Sequence, residues 1–124
     1  MESKRLFGDP SGETHFEDVK IALEAVEFAP PAPQVDPSAF RPAARYACCS
    51  FPAGWFGDWH PTPRRQVFLL LSGEMEVEVS EGEVRHLEPG CIVLVEDTGG
   101  KGHLSRVVGA EDVLSAVVQL PGQA

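Results

Sequence analysis

From Ala43 to the C-terminus the hydrophobic and polar positions fall into short runs of period two, separated by turn residues. The clearest is Glu74 to Ser80, where Met75, Val77 and Val79 share one face and Glu74, Glu76 and Glu78 the other. Such alternation predicts a half-buried strand. Runs of the same kind cover Ala43 to Phe51, Gln66 to Ser72, Glu83 to Leu87, Cys91 to Val95, His103 to Val108 and Val113 to Leu120. Glycine and proline punctuate them at Pro52-Ala53-Gly54, Gly73, Gly82, Pro89-Gly90 and Gly99-Gly100. No segment carries a convincing helical period. Many short strands with regularly spaced turns predict an all-β sandwich or barrel over residues 43–124.

Residues 1–42 have a different texture. A polar start leads to an extended piece around Phe16 to Phe28, then to Pro30-Pro31-Ala32-Pro33, Pro37 and Pro42. Prolines at this density are excluded from helix interiors and central strands. The segment is therefore expected to be an extended, proline-rich N-terminal arm with lead-in strands, too short for a domain. Gln66 to Ser72 adds a packing requirement. Gln66, Phe68 and Leu70 share one face, and Val67, Leu69 and Leu71 the other. A strand apolar on both faces must be covered twice. The arm or a second subunit could supply the outer cover, and a homodimer is the expectation.

Composition narrows the classes of function. The 124 residues are 43% hydrophobic and 23% charged, an ordinary globular balance for one domain. Lys and Arg number 10 against 19 Asp and Glu, a net charge of −9 that repels a phosphate backbone. Nucleic-acid partners are not expected, and neither is a membrane, since no apolar run reaches the ~18 residues of a span. The first ten residues lack an apolar signal region, and the cysteine count of three is odd. Both point to a reducing, cytoplasmic setting, with Cys48, Cys49 and Cys91 as small buried hydrophobes.

One constellation carries candidate chemistry. Gly54, His60, Thr62, Gln66 and Gly73 are spaced as in the first motif of the cupin superfamily, G-x5-H-x-H-x3 or 4-E-x6-G, which the segment resembles. Thr62 stands at the second histidine and Gln66 at the glutamate. Leu87 to Val95 followed by Gly102-His103 resembles the second motif with its single histidine, after a loop about two residues longer than usual. Val107 occupies the place of that motif's asparagine. The resemblance spans residues 43 to 120 and implies a single-domain cupin-type (jelly-roll) β barrel with a small-molecule or metal site inside. It implies chemistries as varied as oxygenation, isomerisation and lyase reactions, or plain binding, because fold does not set function.

The residues themselves bear on that choice. Period two places His60 and Thr62 on one strand face, and His103 arrives from another strand. Neutral imidazoles suit Zn, Fe, Ni, Mn or Cu, so His60, His103 and Gln66 are the candidate metal ligands. The motif positions supply no carboxylate, which lowers the expected affinity. Asp58 shares parity with His60 and is a candidate auxiliary ligand, as are Thr62 and, from the lengthened loop, Glu96 and Asp97. Lys101, two residues before His103, could meet an anionic substrate. His15 and His86 read as surface residues. Three functions remain open: a metal-dependent oxygenase, isomerase or lyase acting on a small metabolite; a metal-free acid–base isomerase or lyase; and a non-catalytic ligand-binding barrel.

Overall fold

A computed structural model describes residues 1–122. Among them are ten strands and no helix: β1 (Glu2–Gly8), β2 (Thr14–Lys20), β3 (Arg45–Phe51), β4 (Phe56–His60), β5 (Gln66–Ser72), β6 (Glu74–Val79), β7 (Val84–Leu87), β8 (Ile92–Glu96), β9 (His103–Val108) and β10 (Val113–Gln119). They form a six-stranded sheet, β2-β1-β8-β5-β10-β3, and a four-stranded sheet, β4-β9-β6-β7. All pairings are antiparallel except that of β1 with β8.

The alternation expected from the sequence is what builds the core between the sheets. Met75, Val77 and Val79 of β6 turn inward, and so do Leu70 of β5 and Val113 of β10. Each such side chain, taken fully out of water, contributes about 1.5–3 kcal/mol. The glutamates of β6 line the solvent side of the β6–β7 hairpin, and β7 is a sheet edge. Charge on such an edge discourages strand addition by other chains.

The N-terminal 42 residues divide into two parts. Residues 2–20 form the β1–β2 hairpin and extend the larger sheet, with Leu6, Thr14 and Phe16 buried. The strand ends at Lys20, well short of Phe28. From residue 22 to residue 44 only Pro37 is not exposed, and the one bridge there joins Val26 to Val35. The cysteines correct the expectation of burial. Cys48 is exposed, and Cys49 and Cys91 are half-buried. Cys48 stands on the outer face of β3, an edge strand of the larger sheet. No helix among the described residues is long and apolar enough to cross a membrane.

Candidate functional site

An interior pocket of about 240 Å³ lies between the sheets. Its walls are largely apolar, with Phe51, Trp55 and Phe68 among them, and its polar residues are His60, Thr62, Gln66, His103 and Ser105. An apolar cavity with a few convergent polar groups is the usual form of a small-molecule site.

His60 reaches the pocket through an irregularity that period two alone does not reveal. Gly57 pairs with Ser105, so an unbroken register would set Trp59 opposite His103; instead the register shifts and His60 takes that place. The extra residue is a β-bulge, a device that re-aims side chains beside functional sites. Two glycines make the approach possible. A Cβ on Gly57 would lie 2.4 Å from the Trp55 indole, which packs over it. Gly102 has φ +72°, and a Cβ there would lie 2.1 Å from the His60 carbonyl oxygen. Only glycine lets β9 begin so close to the end of β4.

The imidazoles of His60 and His103 lie with ring centroids 4.9 Å apart and planes inclined at 52°. His60 Nδ1–H donates to the Asp58 carbonyl oxygen at 2.6 Å, an oxygen that can only accept. His103 Nδ1–H donates to Asp97 Oδ2, also at 2.6 Å. In its neutral form each ring is thereby held in the tautomer that leaves a lone pair on Nε2.

Asp97 is fully buried, and its other oxygen accepts from the Thr62 hydroxyl at 2.7 Å. The Thr62 N–H also donates to the Asp97 carbonyl oxygen, at 2.9 Å. Thr62, at the position of the motif's second histidine, thus acts on His103 through Asp97. The neighbouring acid has the opposite orientation, as alternation requires. Glu96 accepts from Arg5 at 2.6 Å and from Arg65 at 2.8 Å. Burial pushes its pKa up, but the two guanidinium hydrogen bonds outweigh that and leave it below the usual glutamate value. Glu96 therefore does not join the pocket.

Gln66 lines the pocket from β5, and its Oε1 accepts from Gln119 at 3.3 Å. Gln119 in turn accepts from Arg45, so a polar chain orders the Gln66 carboxamide. The N-terminal hairpin braces the loop before His103, since the Thr14 hydroxyl donates to the Gly102 carbonyl at 2.7 Å.

Two candidates from the sequence lie elsewhere. The bulge breaks the parity that linked Asp58 to His60, and the Asp58 carboxylate accepts from the Trp59 N–H at 2.8 Å outside the pocket lining. Lys101 is ion-paired with Glu13 and is also absent from the lining. His15 sits between Asp9 and Glu81, and His86 bonds Glu74. Trp55 also lines the pocket. Its ring packs on Phe51 with centroids 4.9 Å apart, whereas Trp59 is exposed.

Solved structures of similar shape place this fold. KdgF from Halomonas sp. is 26% identical over 81% of this chain and 89% of its own, with a TM-score of 0.50. The cupin domain of Cnp3 from Schizosaccharomyces pombe is 14% identical over 98% of this chain and 83% of its own, also with a TM-score of 0.50. No protein-family model and no curated protein matches the chain. The fold is a cupin-type β barrel.

Proposed function

We propose that this barrel binds a small metabolite in its interior pocket, next to a divalent metal ion (Zn, Fe, Ni, Mn or Cu) held by His60 and His103 and assisted by Gln66. The observation that carries the reading is the pair of fixed tautomers. In their neutral form the two imidazoles present Nε2 lone pairs in one largely apolar pocket, with Nδ1–H held behind each by an oxygen acceptor. Metal-binding histidines are oriented by outer acceptors of this kind. Two acceptor nitrogens sharing one site call for a cation or a hydrogen-bond donor between them.

The donor set fits a divalent ion, though a loosely held one. Among the described residues no three His, Cys, Asp or Glu side chains converge on a metal position. The third protein ligand would be Gln66, whose Oε1 keeps a lone pair beyond the one engaged by Gln119. With no carboxylate in the set, the ion would exchange readily. When bound it would supply a Lewis acid that polarises an oxygen of the metabolite. The chain's own residues do the rest: Trp55, Phe51 and Phe68 supply apolar walls, and Ser105 adds a hydroxyl to the lining.

A specific observation also favours proton transfer without a metal, as in an isomerase or lyase. The buried Asp97 carboxylate behind His103 fixes the ring through Nδ1, so Nε2 is the atom at which His103 can take up a proton and return it. Elemental analysis of untagged protein, with His60→Ala and His103→Ala beside it, separates the two. Metal near one ion per chain that disappears in both variants supports the first reading. Turnover with a bell-shaped pH profile, unaffected by chelator, supports the second and overturns the first.

A further inference from the structure

The charge and size of the interior pocket limit what it can admit. Among the described residues no Asp, Glu, Lys or Arg lines it. Arg5 and Arg65 are engaged by Glu96, Lys101 by Glu13 and Arg106 by Glu76. A carboxylate or phosphate entering the pocket would lose its water without gaining a side-chain counter-charge, which is costly against apolar walls. The chain's net charge of −9 adds long-range repulsion. The volume of about 240 Å³ sets the size. An apolar cavity of about 150 Å³ already accepts benzene, and drug-sized ligands occupy roughly 300–1,000 Å³. A single substituted ring falls between those limits.

The two sheets line the pocket differently. Phe51 and Phe68 come from β3 and β5 of the larger sheet, and the Trp55 indole joins them from the turn before β4. Phe51 meets Trp55 edge-on at 4.9 Å between centroids and Phe68 edge-on at 6.2 Å. Aromatic walls pair with a further ring by offset or edge-on contacts, which add to the gain from buried area. The smaller sheet supplies polar groups. His60 and His103, in their neutral form, offer Nε2 lone pairs. Ser105, on the same face of β9 as His103, is 5% exposed and lines the pocket. Every fully enclosed side-chain polar atom has a partner, yet the Ser105 hydroxyl has none among the described residues, so it opens on the cavity. Its cross-strand neighbour is Gly57, which has no side chain to meet it and over which the Trp55 indole packs.

We infer that the pocket takes an uncharged single aromatic ring carrying a hydroxyl, with the ring against Phe51, Trp55 and Phe68 and the hydroxyl read by Ser105 and the imidazoles. The inference rests on the reading of this pocket as a metabolite site and names the class of metabolite, whichever of the two chemistries operates there. The polar end presents acceptors, the Nε2 lone pairs, together with a donor, the Ser105 O–H. A hydroxyl both donates and accepts, so it satisfies the two kinds at once. A carboxylate or a carbonyl only accepts and would set its lone pairs against those of the imidazoles. A bare hydrocarbon leaves the serine unpaired, and a polyol turns surplus hydroxyls toward apolar walls.

NMR titration of the full, metal-stripped chain with phenol, cyclohexanol, benzoate and toluene tests this, at a pH where imidazole is neutral and with Ser105→Ala and His60→Ala beside the wild type. Stripping removes any ion that could pair with benzoate. Phenol is expected to bind once per chain, at least about threefold more tightly than cyclohexanol, which keeps the hydroxyl and lacks the π face. It should bind at least about tenfold more tightly than benzoate. Ser105→Ala should weaken phenol by about threefold to tenfold and leave toluene within about twofold, with circular dichroism verifying the fold. Benzoate or cyclohexanol binding as tightly as phenol overturns the proposal, and so does a phenol affinity unchanged in Ser105→Ala. Absence of binding by every ring probe overturns it as well; zinc that still titrates and is lost in His60→Ala then shows that the class alone has failed. Phenol and zinc both binding His60→Ala as they bind the wild type would overturn the site reading itself, and the inference with it.

Discussion

Replacing Asp97 by Asn keeps the shape of the side chain and exchanges one acceptor oxygen for an amide donor. In the native protein both oxygens accept, from the Thr62 hydroxyl at 2.7 Å and from His103 Nδ1–H at 2.6 Å, and no part of the residue is exposed. An amide can satisfy only one of those donors as an acceptor. The Thr62 backbone N–H stays tied to the Asp97 carbonyl and keeps its hydroxyl beside the side chain; with the amide oxygen on that hydroxyl, the NH2 turns to His103. His103 then accepts at Nδ1 and carries its proton on Nε2, which removes the lone pair from the pocket. Loss of such a supporting carboxylate costs about 10- to 100-fold in metal affinity. Asp97→Ala leaves two buried donors without partners, a loss of about 3 kcal/mol or more. Long-range proton–nitrogen correlation spectra report the tautomer directly, and urea denaturation reports the stability. Asp97→Asn is expected to place the His103 proton on Nε2 with a smaller stability loss than Asp97→Ala. If the Nδ1–H tautomer and the site affinity both persist within about twofold, the coupling of Thr62, Asp97 and His103 is refuted.

Three further expectations follow from the geometry. Gly102→Ala forces a Cβ to within 2.1 Å of the His60 carbonyl at a positive φ, so it should destabilise the fold by about 3 kcal/mol or more and shift the His60 ring resonances; urea denaturation and NMR check both. Glu96 has a depressed pKa in the folded state, so its ion pairs with Arg5 and Arg65 stabilise the protein above the unfolded glutamate pKa, and that contribution is lost as pH falls through the folded value. Glu96→Gln should therefore cost about 2 kcal/mol at neutral pH and flatten the acid limb of a stability–pH curve. Lys101→Ala, which removes only the partner of Glu13, should leave ligand and metal affinity in the pocket within about twofold by calorimetry.

Strand grammar was legible because burial on one face enforces period two, and the strands from β5 to β10 lie within a residue or two of their expected limits. The β1–β2 hairpin was less visible. It sits at a sheet edge with Lys4, Arg5 and Glu17 half-buried or exposed, so only Leu6, Thr14 and Phe16 signal the inner face. In the site, His60, Gln66 and His103, which the sequence singled out by spacing, line one pocket. Asp58 failed because the bulge after Gly57 changes which residues face inward, and period-two counting contains no term for an inserted residue. Lys101 failed because its partner Glu13 lies 88 positions away. The cysteines were misplaced for a different reason. Cys48 and Cys49 lie on β3, which the sheet order places at an edge, and Cys91 packs against the core yet stays half-buried.

The most direct test of the site is a calorimetric titration of untagged, metal-stripped protein with zinc or nickel, run beside His60→Ala and His103→Ala. The account predicts one ion per chain for the wild type, and binding lost in both variants. Binding that survives unchanged in both variants would contradict the assignment of these two imidazoles as the centre of the pocket's chemistry.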